Sequence, residues 1–133
     1  MIIDENDIIR VSLASEFNEK ESNVKILFLT FKSDIYYKNQ INECQVLINK
    51  YYDYSEKNNI KYDLIVDINI IKFTTLKIFT LKDLKNLFFI NKNHTEKSCN
   101  SIIIIINNFW LRHFLNMFFS LYTISIPINF IKK

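Results

Sequence analysis

Apolar and polar residues alternate from Ile9 through Arg10, Val11, Ser12 and Leu13, the two-residue period of a half-buried strand. A polar stretch at 16–23 then reads as a loop. The run VKILFLTF at 24–31 is apolar almost throughout, which predicts a more central strand. The two strands are expected to pair antiparallel across a long connection. Beyond them the period changes. Tyr37, Ile41, Cys44, Ile48 and Tyr51 recur at spacings of three and four, which predicts a helix with Ser33 or Asp34 as its N-cap. The polar cluster 55–61 ends it.

DLIVDIN at 63–69 is short, apolar and β-branched, a buried strand. The mixture at 72–79 reads as extended or irregular. Thr80-Leu81-Lys82-Asp83 has the form of a capping box with Asp in the Glu position, opening a second helix with Leu81, Leu84, Leu87 and Phe88 on one side. Residues 91–100 read as polar linker. Five consecutive isoleucines, Ile102 to Ile106, mark 101–107 as a buried strand. A third helix is predicted over 109–123, and Pro127 opens a last strand at 128–131.

The order β-β-α-β-α-β-α-β predicts an α/β fold: a single layered domain with a mixed, mostly parallel sheet of about five strands. A membrane span within 101–131 is the competing reading. It needs about 20 apolar residues in succession, and here Asn107, Asn108, Arg112, His113, Asn116 and Pro127 interrupt the run. Strand-helix-strand is therefore preferred.

Composition sharpens this picture mainly by exclusion. With 133 residues the chain fits one domain. It contains no glycine, which removes the P-loop, the dinucleotide-binding turn, the kinase glycine loop and the nucleophile elbow, all of which need a backbone without Cβ. Turns with positive φ must fall to Asn or Asp. One alanine, Ala14, and two arginines, Arg10 and Arg112, beside abundant Ile, Asn, Lys and Phe fit a gene rich in A/T codons. Cys44 and Cys99 form no ligand spacing and read as buried free thiols in a reducing compartment. The acidic opening MIIDENDIIR lacks the basic flank and apolar stretch of a secretory leader, so an intracellular, cytoplasmic location is expected.

Asp67, at the carboxyl end of a predicted central strand, is the candidate strand-end site. Its surroundings, KYDLIVDI, resemble the phosphoacceptor strand of bacterial receiver domains. The acidic pair of that family is missing from Thr30-Phe31-Lys32-Ser33, so a turn or capping role is the preferred reading. His94 and His113 have no neighbouring partner at metal-ligand or catalytic spacing. Charge is lopsided: residues 1–67 hold 12 acidic and 8 basic side chains, residues 68–133 hold 2 and 9. Lys72, Lys77, Lys82, Lys85 and Lys92 make a candidate face for an anionic partner, weighed against a merely solvated surface. Nucleic acid is disfavoured as that partner by the scarcity of arginine.

The third helix carries the sharper signal. Arg112, Asn116, Ser120 and Thr123 form one narrow polar stripe, and nearly everything else is apolar. A surface helix needs an apolar arc only a little over 100° wide. The surplus is either buried under neighbouring segments or is an interaction surface, with Trp110, Phe114, Phe118, Phe119 and Tyr122 as candidates.

YDLIVDINIIKF, its distance from SIIIII, and the step into NNFWLRHFLNMFF are similar to the pattern of the STAS (anti-anti-sigma-factor-like) domain, over roughly residues 24–131. That resemblance implies a non-catalytic interaction module regulated by phosphorylation of a Ser or Thr in a turn. Thr74 and Thr75 lie near that place, without the Asp and Gly of the family's turn. IIIIINNFWLRHFLNMFF also resembles the strand-to-helix step of the CRAL-TRIO lipid-exchange domain, which implies an apolar ligand. The expected function is a protein-interaction or scaffold domain, not an enzyme and without a cofactor, self-associating or binding a partner protein through helix 109–123. A small lipid- or apolar-ligand-binding module at an anionic membrane surface is the alternative.

Overall fold

β-Branched and aromatic runs dominate the chain, and they assemble into one sheet. A computed structural model describes residues 2–13, 24–72, 74, 80, 82–83, 92–121 and 125–133. Six strands, β1 (Ile2–Glu5), β2 (Ile9–Leu13), β3 (Val24–Phe31), β4 (Lys61–Asp67), β5 (Cys99–Ile105) and β6 (Ile128–Ile131), lie side by side in chain order. β1–β2 and β2–β3 pair antiparallel, and β3–β4, β4–β5 and β5–β6 pair parallel. The sheet is therefore mixed and mostly parallel, as expected, with six strands in place of about five. β1 is the addition: its acidic sequence IIDE shows no clean alternation, and its register with β2 shifts between Ile2 and Asp4.

The described helices are α1 (Lys38–Asn58), α2 (Lys92–Ser98) and α3 (Phe109–Leu121). At thirteen residues, α3 is too short to span a bilayer; no described helix is long and apolar enough to do so.

Register shows how the layers meet. Leu13, Leu27, Leu64, Ile102 and Ile128 form one cross-strand row, and Val11, Leu29, Val66, Ile104 and Phe130 the next. These rows belong to the core, which also takes Ile41, Cys44, Leu47, Ile48 and Tyr52 from α1 and Leu111, Leu115 and Phe118 from α3. Contacts from both helices reach this same face: the Tyr62 hydroxyl donates to the Tyr51 carbonyl at 3.1 Å, and the Phe119 ring lies 5.8 Å from that of Phe130. Strands that advance one place at a time through right-handed crossovers keep all their helices on one side. The opposite pleat, with Ile26, Phe28, Ile65, Ile103 and Ile105, is half-buried and lies outside the core cluster.

Caps and turns replace glycine with polar side chains. α1 ends on Asn59 at φ 53°, the left-handed conformation that glycine would ordinarily supply. The Ser55 hydroxyl closes the turn by donating to the Ile60 carbonyl at 2.6 Å. At its start α1 departs from expectation. Its N-cap is Tyr37, and Gln40 reaches back to accept from the Tyr36 and Tyr37 amides at 2.7 and 3.0 Å. Asp34 is buried instead and accepts from the amides of Ile35 and Lys72, joining the ends of two connections. The capping box at Thr80 and Asp83 forms reciprocally, each amide donating to the other's side chain at 3.2 Å. Leu81, Leu84, Leu87 and Phe88 of the helix it was read to open lie outside the described residues.

α2 falls where a linker was expected. Its sequence KNHTEKS has no apolar residue, and it docks on α1 by polar groups: Ser98 donates to the Tyr52 carbonyl, and the His94 ring meets the Tyr52 ring edge-on at 5.3 Å.

One-sided burial separates adjacent isoleucines. Ile104→Ala should cost about 2–5 kcal/mol of unfolding free energy, and Ile103→Ala about 1 kcal/mol or less. Urea denaturation at unchanged slope measures both. Equal losses would place both side chains in a core.

Candidate functional site

Parallel strands bring their carboxyl ends to one edge, and Asp67 stands there at the end of β4. Its carboxylate is engaged twice. Oδ1 accepts from the Asn69 amide at 3.0 Å, and Oδ2 accepts from Lys133 Nζ at 3.3 Å. The Asn69 side chain accepts from the Asn107 amide at 2.8 Å, and Asn107 in turn accepts from the Lys133 amide at 2.8 Å. These bonds lace together the ends of β4, β5 and β6. Because strand order never reverses, the described sheet lacks the crevice in which open α/β sheets commonly hold ligands. Asp67 thus serves as a turn and cross-strand tie. Lys72, Thr74 and Lys82, from the segment after β4, are exposed. Lys92 is the first residue of α2. Lys77, Lys85 and Thr75 lie outside the described residues.

α3 begins beside this edge. Asn108 caps it, its side chain accepting from the Leu111 amide at 3.0 Å. The candidate residues then divide by face. Phe118 is only 2% exposed and belongs to the core, a correction to its reading as surface. It shares an inward arc with Leu111 and Leu115, because residues three and four apart stack on one side of a helix. Phe119 is half-buried against Phe130, and Phe114 is half-buried against the core. Trp110 is 68% exposed. Tyr122 lies outside the described residues.

Two further residues join Trp110 that sequence reasoning passed over. Phe109 and Met117 are 65% and 58% exposed. The Phe109 ring meets Trp110 edge-on at 5.4 Å and stacks on His113 at 6.3 Å. Helical geometry carries Phe114, Trp110, Met117, His113 and Phe109 in succession around one flank. The excess width of the apolar arc was the available signal for this flank. Which members faced inward depended on the crossing of α3 over the sheet, which periodicity alone does not give.

His94 and the two cysteines lie away from the carboxyl edge and from the α3 flank. His94 Nε2 lies 3.4 Å from both Asp53 Oδ1 and Glu56 Oε1, a proximity of α2 to α1 that sequence spacing did not reveal. Among the described residues no group of His, Cys, Asp and Glu is arranged to hold a metal. Cys44 and Cys99 are free and buried. Burial pushes their thiols up to about 12 and about 11, against an ordinary value near 9. The Tyr52 hydroxyl, 3.6 Å from Cys99 Sγ, counters the rise for that thiol only in part.

Compared with protein families, with curated proteins and with solved structures, the chain matches none.

Both thiols should resist an aromatic disulfide reagent at about pH 8, where an exposed cysteine of ordinary pKa reacts readily. Denaturant should release both together. Reaction of either in the folded protein would show that it is reached without unfolding.

Proposed function

We propose that this chain is a non-catalytic protein-interaction module of STAS-like type, which docks a partner protein or a second copy of itself through the outer flank of α3. The carrying observation is the exposed cluster of Phe109, Trp110 and Met117 on a helix whose opposite side is core. Aromatic residues and methionine are enriched in protein interfaces, and tryptophan is prominent among residues that dominate binding energy. Such side chains lose apolar exposure on docking without any cost to the fold. Further support comes from the carboxyl edge, where Asp67, Asn69 and Asn107 are engaged with one another and with Lys133. The STAS-like assignment rests on the strand–helix succession after the initial hairpin together with the sequence pattern around Asp67.

A lipid surface is the second reading. It draws on the same flank, on Arg112 beside it, and on the excess of basic over acidic residues in the second half of the chain.

Trp110 is the only tryptophan, so its emission reports directly on what covers the flank. Sedimentation velocity over a concentration series should show reversible association. In the double variant Trp110→Ser/Met117→Ser that association should weaken at least about tenfold, as for loss of an interface anchor. Unfolding free energy should change by no more than about 0.5 kcal/mol for each exposed site. Association that survives the double variant would contradict docking through α3. A blue shift of Trp110 emission with anionic vesicles, and none on self-association, would favour the lipid reading.

A further inference from the structure

At the amino edge of the sheet, opposite to Asp67, a concave pocket of about 190 Å3 opens between the strands and the last turns of α1. Among the described residues its walls are Ile3, Leu13, Ile60, Tyr51, Tyr54 and Tyr62, and Lys25 completes it. Lys25 is placed there by register. It pairs with Tyr62 across β3 and β4, so it rises on the helix-covered pleat, and it is half-buried.

The polar groups of this pocket are unevenly engaged. The Tyr62 hydroxyl donates to the Tyr51 carbonyl, and the Tyr51 hydroxyl donates to Asp4 Oδ2 at 3.1 Å, so both phenols present mainly their rings. Burial foremost pushes both phenols up to about 12, and they remain neutral at any physiological pH. Asp4, the nearby carboxylate, is neutralised by Lys50 at 2.7 Å and lines a separate groove. Lys25 has no ion-pair partner among the described residues, and the Tyr54 hydroxyl at the exposed rim makes no hydrogen bond there. An apolar, ring-lined cup with one cation and one hydroxyl that no described side chain engages is complementary to an anion with an apolar body.

We infer that this pocket binds a small aromatic carboxylate, its ring among Ile3, Leu13, Ile60 and the tyrosines and its carboxylate on Lys25. Size fits that class. An apolar cavity of roughly 150 Å3 accepts benzene, so the volume here admits one ring and a short acid arm. A larger lipid chain is too long for it. This site is independent of α3, and either reading stands without the other.

The probe is phenylacetate, titrated into isotope-labelled full-length protein and followed by amide chemical shifts. Its neutral isostere phenylacetamide is the paired control. Saturable shifts should centre on Ile3, Leu13, Lys25, Ile60 and Tyr62. Binding should fall roughly tenfold or more for the amide, as expected when a charge-assisted contact is lost. Lys25→Met, which keeps the apolar stem, should reproduce that loss, and Lys25→Arg should restore most of the affinity. The wild-type comparison of acid and amide needs no variant, so it decides the matter even where Lys25→Met unfolds. Equal affinity for acid and amide, shifts scattered over surface lysines, or no saturable shift would each overturn the assignment.

Discussion

The order in which the strands lie governs this molecule. Each parallel strand is placed next to its predecessor, always on the same side, from β3 through β6. Crossovers of one hand that never change direction deliver their helices to one face. Parallel sheets are ordinarily covered on both faces, and here the pleat bearing Phe28, Ile65 and Ile103 has no described helix upon it. The same order removes the crevice that a reversal would open at the carboxyl edge. The two sites we propose both lie at the margins of the helical layer: the outer flank of α3 and the cup beneath the end of α1.

The missing glycine shapes those margins. Positive φ is assigned to Asn59, and the strand ends are tied by Asp67, Asn69 and Asn107. Asparagine and aspartate tolerate tight turns because their short polar side chains bond the local backbone. Here they also bond one another between strands. Asp67, the acidic residue singled out by the sequence, is one of these ties. The two cysteines follow similar logic, since small apolar-like side chains suit the interior and burial leaves their thiols protonated.

Much of the architecture was legible because it rests on local periodicity. Alternation gave β2, the apolar runs gave β3 to β5, and the three-four spacing gave α1 and α3. β1 and α2 escaped for a common reason. Their packing surfaces are polar or short, with Asp4 bonded to Lys50 and Tyr51 and with Thr95 and Ser98 buried on α1, so no apolar rhythm announces them. The five isoleucines identified a strand correctly and its environment incompletely. Ile102, Ile104 and Ile106 are buried, and Ile103 and Ile105 are not, because composition does not tell how many faces a fold will cover. The site was legible only as an excess. Helix 109–123 had more apolar surface than one sheet can use, yet the division between Phe118 inside and Trp110 outside needed the tertiary crossing. Lys25 and its tyrosines are distant in sequence and left no local trace.

One-sided burial is most directly tested on isoleucine methyl groups, by relaxation from a soluble, neutral spin probe at protein concentrations low enough to keep the chain monomeric. The Ile65, Ile103 and Ile105 methyls should relax strongly, and those of Ile102, Ile104 and Ile106 should be shielded. Equal shielding of the two sets would mean that the second face is covered, and the layer arrangement described here would be wrong.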